Sequence, residues 1–228
     1  MTFSNTLMVL FAFVGYRILS VIIAFFAQWL VKDYQTSQHH IALIKLFANP
    51  PRAYPFLISF LTISFYLISF SYPYPQNLAY LCFTSILAIS LFTDAFALLI
   101  SQIFTLYLIP LAWIAAYFGL IPLTFTESFY ASLLAYGLLK ITYAISFKLM
   151  KKESMGSGDT DLFAFIAAWV GFYGSWFVLT VGSSLGALYG IICLLRGKDK
   201  NTLQLPFGSF LCLGTIIYLL WSIRSFIK

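Results

Sequence analysis

All the acidic chemistry of this chain rests on seven Asp and Glu residues, and their surroundings divide them into two groups. Asp33, Glu127 and Asp199 stand in short polar stretches or at the start of an apolar run, where a solvated charge is the ordinary reading. Asp94, Glu153, Asp159 and Asp161 are placed differently. Asp94 lies between two apolar stretches, AYLCFTSILAISLFT and AFALLI, with no polar loop of its own, and the other three fall in KKESMGSGDTDLF just ahead of another apolar run. Acidic groups at or inside apolar segments are costly, which makes each a candidate for function. Two carboxylates gathered in a half-dry cleft do not both ionise easily and hold one proton between them. One can then activate a water while the other protonates a carbonyl or leaving group, which is aspartic-peptidase chemistry. Gly156 and Gly158 suit such a site, because residues without Cβ permit a tight turn and a close backbone approach beside Asp159. By itself Gly-x-Gly-Asp is equally a glycine turn followed by Asp159 as a helix cap. It is neither a phosphate-binding loop nor a dinucleotide fingerprint, since the Lys-Ser/Thr ending and the third glycine are missing. Paired acids for proton-coupled transport and a purely structural polar contact stay open as alternatives.

The elements that must position these acids are apolar helices. The chain has 228 residues, 61% of them hydrophobic and 9% charged, with mean hydropathy +0.93, whereas a soluble domain carries about 25% charged residues. The composition predicts an all-α polytopic membrane protein. A crossing helix needs about 20 apolar residues, and apolar runs fall at about 6–31, 56–72, 78–93, 103–121, 128–149, 162–175, 176–195 and 206–223. They predict about eight transmembrane helices. The sixth is short and only Gly171 and Gly174 part it from the seventh, so seven spans with a re-entrant element is the variant reading. The opening MTFSNTLMVLFAF has no basic residue before its apolar run and no small-residue cleavage site, which predicts a retained first span.

The formal charge is +6. In so apolar a chain the basic excess reads as an orientation signal, and nucleic acid is not expected as a partner. Lys32, Lys45, Arg52, Lys148, Lys151, Lys152, Arg196, Lys198 and Lys200 share one side of the eight-span arrangement, while the loops around 73–77, 122–127 and 171–175 carry no Lys or Arg. Basic loops stay cytoplasmic, so both termini are expected outside, with Arg224 and Lys228 as exceptions. That arrangement puts Asp94, closing span three, and Asp159, opening span six, on the same cytoplasmic face. Arg17 and Lys140 fall near the middle of their spans, where structural pairing or snorkelling is favoured over catalysis. Cys82, Cys193 and Cys212 lie in separate apolar runs without a CxxC pair and read as small buried hydrophobes. His39 and His40 are adjacent and do not readily face one metal, so no metal and no cofactor are expected.

The string KKESMGSGDTDLFAFIAAWVGF resembles the motif of the type IV prepilin leader peptidases, which are Gly-x-Gly-Asp intramembrane aspartic peptidases. LPFGSFLCLG at 205–214 resembles the Pro-Phe-Gly-x-Phe-Leu segment of that family's last span, TDAFALLISQIFTL at 93–106 resembles the stretch around its first catalytic Asp, and PRAYPFLISFLT at 51–62 resembles its Arg-Tyr-Pro segment. The resemblance covers about residues 49–222, with the motifs in order. It implies Asp94 and Asp159 as the catalytic pair, Gly156 and Gly158 shaping the loop, and Glu153 and Asp161 as further substrate-binding or loop-shaping residues. It also implies cleavage of the leader of type IV pilin-like precursors, prepilins or pseudopilins, at the cytoplasmic face of a bacterial inner membrane. The precursors and the lipid bilayer are then the partners. Residues 1–55 would form an N-terminal transmembrane helix with a short cytoplasmic loop, and 56–228 the peptidase core.

The sequence departs from the family pattern in four places. Ser101 and Gln102 stand where the family has Pro and Asp, and Asp161 stands where it has Lys. A third acid beside the pair adds like-charge repulsion unless it turns away or meets Lys151 or Lys152. The zinc-binding CxxC hairpin that many members carry is missing from IALIKLFANPPRAYP, so no zinc is expected, and methyl transfer to the new amino terminus is left open. Two rival readings remain: a non-catalytic relative serving pilus or secretion-system assembly, and the proton-coupled transporter.

Overall fold

The computed structural model describes residues 14–23, 25, 59, 62–64, 72–150, 156–196 and 205–226. Among the described residues the chain is helical, with turns and no strand. Glu153, Lys151, Lys152, both histidines and the expected boundary at residue 55 lie outside them. Two compact units divide the chain, Met1–Ala97 and Leu98–Lys228.

In the first unit, helix α1 (Val14–Ile23) and the helical residues 59 and 62–64 meet through polar groups. Arg17 Nη1 donates to Ser59 Oγ at 3.1 Å, and Thr62 Oγ1 donates to Ser20 Oγ at 3.1 Å. The Ser20 hydroxyl also donates to the Tyr16 carbonyl at 2.7 Å. Small hydroxyls let helix backbones approach closely and supply hydrogen bonds where lipid offers none. Arg17 thus has a structural partner. Helix α2 (Gln76–Ala97) is 22 residues long, about 33 Å at 1.5 Å per residue. Its hydroxyls fold back onto carbonyls one turn earlier, Thr84 to Tyr80 at 2.8 Å and Ser85 to Leu81 at 2.7 Å, so they add little polarity to an apolar surface. Cys82 is exposed on this helix, against the expectation of burial, while Cys193 and Cys212 are buried. An apolar-environment helix has no need to turn a thiol inward, because lipid accepts it as readily as the core.

The second unit begins with a turn-rich loop at 98–105 and a short 3-10 helix, Leu106–Leu108, that runs into α3 (Ile109–Tyr117). These residues replace the expected span at 103–121. The Thr105 N–H bonds the Gln102 carbonyl at 3.3 Å in a tight turn, and Pro110 sits at the start of α3, where its missing N–H is harmless. Gly119, at φ +67, closes α3. Its N–H bonds the Ala116 carbonyl at 3.1 Å, and the Leu120 N–H bonds that of Ala115 at 2.8 Å, satisfying the terminal carbonyls as a left-handed glycine does.

Helix α4 (Phe125–Met150) opens on a reciprocal cap. The Thr124 N–H donates to Glu127 Oε2 at 2.8 Å, and the Glu127 N–H donates to Thr124 Oγ1 at 3.3 Å. Glu127 is therefore a capping residue, in keeping with a solvated helix start. Thr124→Ala is expected to lower stability by about 1 kcal/mol, read as a lower unfolding midpoint in detergent.

The expected sixth and seventh spans form one assigned helix, α5 (Ser157–Leu195), 39 residues long and broken at Gly171 (φ 75, ψ 179). An unbroken helix of that length would reach about 58 Å, nearly twice the ~30 Å hydrocarbon core. The break is sharp: a Cβ added at Gly174 would lie 2.8 Å from the Val170 Cβ, whereas Cβ atoms four apart on an intact helix are about 5–6 Å apart. Ser128 Oγ on α4 donates to the Ala168 carbonyl at 2.6 Å, taking up an acceptor at the interrupted ladder. The leg before the break packs on α4, and the leg after it packs on α6 (Phe207–Phe226).

That second packing runs on glycine. Gly182 and Gly186 face Phe210 and Leu211, Gly190 faces Leu205, and a Cβ at Gly214 would meet the Val178 carbonyl at 2.9 Å. The four-residue spacing of Gly182, Gly186 and Gly190 is the small-residue pattern by which membrane helices approach closely. Gly214→Val is expected to destabilise by about 1–3 kcal/mol through overpacking, measured as a fall in the thermal midpoint of the purified protein.

Among the described residues, three helices are long and apolar enough to cross a membrane, Gln76–Ala95, Phe125–Leu149 and Ser157–Leu195, and three described stretches are shorter, Val14–Ile23, Leu106–Tyr117 and Phe207–Ser222. The all-helical class is as expected. The described helices supply three such spans, and much of the expected spans at 6–31 and 56–72 lies outside the described residues. Leu133, Ile141 and Ile145 on α4 and Leu188 and Ile191 on α5 are exposed, an outward apolar surface that suits lipid rather than water.

Candidate active site

Asp94 belongs to the first unit. The sequence reading ends span three before it, but α2 continues to Ala97 and carries Asp94 inside its last turn, 4% exposed. Around it Ser90, Phe92 and Thr93 are buried. The Thr93 hydroxyl is committed to the Ile89 and Ser90 carbonyls at 3.0 and 3.2 Å, so it leaves the neighbouring carboxyl to set the polarity of this helix end. Leu98 leaves the helix at φ 53, a left-handed conformation that costs a non-glycine residue about 1–2 kcal/mol.

The second unit carries the Gly-x-Gly-Asp turn. Gly156 is the N-cap of α5, with φ −67 and ψ 144 and no side-chain cap. Asp159 stands three residues further on, 7% exposed, with its N–H on the Gly156 carbonyl at 3.2 Å. The alternative of Asp159 as the helix cap is corrected: the cap is a glycine, and Asp159 is a first-turn acid, a position the N-terminal N–H groups favour. A Cβ on Gly156 would sit 3.4 Å from Asp159 Oδ2, an ordinary contact. Gly158 is the demanding position. A Cβ there would lie 2.8 Å from Ile100 Cβ and 3.2 Å from the Ile100 carbonyl oxygen. The close approach expected of a glycine beside Asp159 is thus made to the chain's own 98–105 loop.

Asp161, two residues on, is 2% exposed. Its Oδ2 is buried without a hydrogen-bond partner. Lys140, on α4, holds its ammonium 5.5 Å from the centre of the Tyr136 ring, within the reach of a cation–π contact. Gly156, Gly158, Asp159 and Asp161 are gathered at the start of α5, with Ile100 of the loop against Gly158. Sequence reasoning assigned no role at the site to Ile100.

The comparisons with known proteins bear on this turn directly. Residues 81–191 match the family model described as "Type IV leader peptidase family", a stretch that includes Asp94, the glycine turn and the break in α5. Over this stretch the chain is similar to the type IV leader peptidases. It is 34% identical over 150 residues to a prepilin leader peptidase/N-methyltransferase of Aeromonas salmonicida, covering 64% of this chain and 50% of that protein. A protein of the same name from Pseudomonas aeruginosa is 35% identical over 138 residues, covering 60% and 46%. One from Legionella pneumophila is 41% identical over 71 residues, covering 31% and 24%. The chain thus spans at most about half the length of these curated relatives. No solved structure matches it.

Proposed function

We propose that this chain is an intramembrane aspartic endopeptidase that removes the leader of type IV pilin-like precursors at the cytoplasmic face of a bacterial inner membrane. The observation that carries the reading is the family match across both Asp94 and Asp159, with each acid buried at the end of an apolar helix. In the proposed reaction the two carboxyls share one proton. One takes a proton from the attacking water, and the other gives its proton to the scissile carbonyl and then to the leaving amine. No metal or organic cofactor is called for by this chemistry. Burial serves it, because a half-dry site strengthens each proton transfer relative to open water.

The precursor's apolar helix packs beside the bundle in lipid, while its leader lies extended along the first turn of α5. Glu153 joins that loop as a substrate-facing or loop-shaping group. The test is co-expression with a pilin-like precursor, with the leader followed by gel shift and mass spectrometry. Cleavage in the presence of the intact chain is the expected result. Proton-driven uptake in vesicles with the precursor left whole would replace this reading by a transporter, and neither cleavage nor uptake would leave a non-catalytic assembly role.

A further inference from the structure

Exposed aromatic side chains of the second unit gather at one end of its helices, at the far end of the first leg of α5 from the Gly-x-Gly-Asp turn. Tyr117 and Phe118 close α3, Tyr130 stands near the start of α4, Tyr173 and Trp176 follow the break in α5, and Trp221 lies in the second half of α6. Their exposure runs from 45% at Trp176 to 89% at Tyr173. Packing sets them at one height. Ser128, in the first turn of α4, bonds the Ala168 carbonyl at 2.6 Å. A Cβ at Gly171 would lie 2.8 Å from Leu123 Cδ2, just ahead of α4, and one at Gly174 would lie 2.9 Å from Tyr218 Cζ on α6. The rings of Phe177 and Trp221 stack 5.8 Å apart and 6° from parallel. Among the described residues, both exposed tryptophans belong to this level.

The opposite helix ends are basic. Along α4, Lys148 is about 27 Å from Tyr130, and along the second leg of α5, Arg196 is about 30 Å from Trp176. Both cations are exposed. Two helices therefore part an aromatic level from a basic one by close to the ~30 Å of a hydrocarbon core. The large side chains exposed between the two levels include Leu133, Ile141 and Ile145 on α4 and Leu188 and Ile191 on α5. Three exposed aromatics of this unit stand off the level: Tyr107 in the 3-10 helix, Phe147 beside Lys148, and Tyr189, which lies against the Phe210 ring at 5.6 Å. The described charged group at the aromatic level is Glu127, held in the cap of α4 by Thr124. Tyr and Trp join an apolar ring to one polar atom and settle where acyl chains meet headgroups. Lys and Arg stretch their charged heads to the other boundary.

We propose that this aromatic level is a lipid-anchoring surface whose partner is the boundary between headgroups and acyl chains in one phospholipid leaflet, and that it sets the height of the second unit in the bilayer. A surface made for another protein has no reason to stand one hydrocarbon thickness from a row of cations. The placement gives the break at Gly171 a physical setting, since headgroups and water at that boundary serve backbone groups that an interrupted helix frees. It does not rest on the peptidase reading, and a chain that cuts no precursor would leave it standing.

The experiment uses the full chain in phosphatidylcholine vesicles that carry a nitroxide quencher either near the headgroup or at the end of the acyl chain. The fluorescence lost in the Trp176→Phe/Trp221→Phe variant isolates these two indoles, and phenylalanine keeps a ring against Phe177. That signal is expected to be quenched about twofold or more strongly by the shallow label than by the deep one, as interfacial rings are. In the same background, Tyr130→Trp and Ile141→Trp add an indole at two exposed positions of α4. Tyr130→Trp is expected to prefer the shallow label, and Ile141→Trp, about 16 Å further along the helix, the deep one. Equal quenching by both labels, a preference of Trp176 and Trp221 for the deep label, or the same order at positions 130 and 141 would overturn the proposal. Quenching by neither label would also overturn it, since the surface would then be covered by a second copy or another protein, or stand in water.

Discussion

Asp94→Asn and Asp159→Asn are each expected to abolish precursor cleavage, with a loss of at least about 1,000-fold in kcat, the scale of a removed general acid or base. Asparagine keeps the size of the side chain and one acceptor oxygen but cannot take or give the shared proton. The double variant is expected to be no worse than either single one, because residues that act as a unit lose their effect together. Both acids are buried within helix ends, so an uncharged isostere there is not expected to unfold the protein. The unfolding midpoint should stay level or rise, since a buried carboxyl is replaced by a neutral amide. The measurement is single-turnover cleavage in detergent or vesicles, followed by mass spectrometry of the released leader. If either variant cuts at the unaltered rate, the catalytic assignment is wrong.

Gly158→Val is expected to have the second largest effect, a loss of about 100-fold in cleavage, while Gly156→Ala stays within about threefold by the same geometric reasoning. The two glycines look alike in the sequence, and space separates them. At Gly158 the first added carbon would already be 2.8 Å from Ile100 Cβ, and at Gly156 it would be 3.4 Å from a movable carboxylate oxygen. Neither is required by a left-handed backbone, since Gly156 has φ −67 and the positive-φ glycines are Gly119 and Gly171. Two β-branched methyls at position 158 must push the 98–105 loop off the turn, and Gln102 moves with it. The check is to run both variants in one assay beside the thermal midpoint. A Gly156→Ala loss as deep as that of Gly158→Val would show that the turn itself, and not its contact with Ile100, limits the reaction.

Much of the helical frame was legible without coordinates. Pro, charge and capping residues punctuate the apolar runs, so the expected span at 128–149 appears as Phe125–Met150 and that at 206–223 as Phe207–Phe226. The run at 103–121 was misread because hydropathy registers apolar residues whether or not they form one helix. The turns near Gln102 and the proline at the start of α3 divide this one. Gly171 and Gly174 announced a break, and the coordinates put the non-helical backbone at Gly171 alone. Gly182, Gly186 and Gly190 stood at a regular spacing in plain view, yet only packing against α6 shows what that spacing is for.

What the sequence by itself determined is the class of molecule and the acids that stand out as candidates for its chemistry. A chain this apolar must satisfy its backbone internally, which leaves helices as the spanning element for runs of this length. Carboxylates are so costly beside such runs that Asp94, Asp159 and Asp161 stand out without further information. Tertiary structure alone decided which of the neighbours matter. That Gly158 lies against Ile100, and that Ser128 reaches the Ala168 carbonyl, depends on how a loop, α4 and α5 are rotated and set against one another. Contacts of that kind join residues far apart in the chain, and no local periodicity encodes them, because the free energy that selects them comes from packing whole elements together.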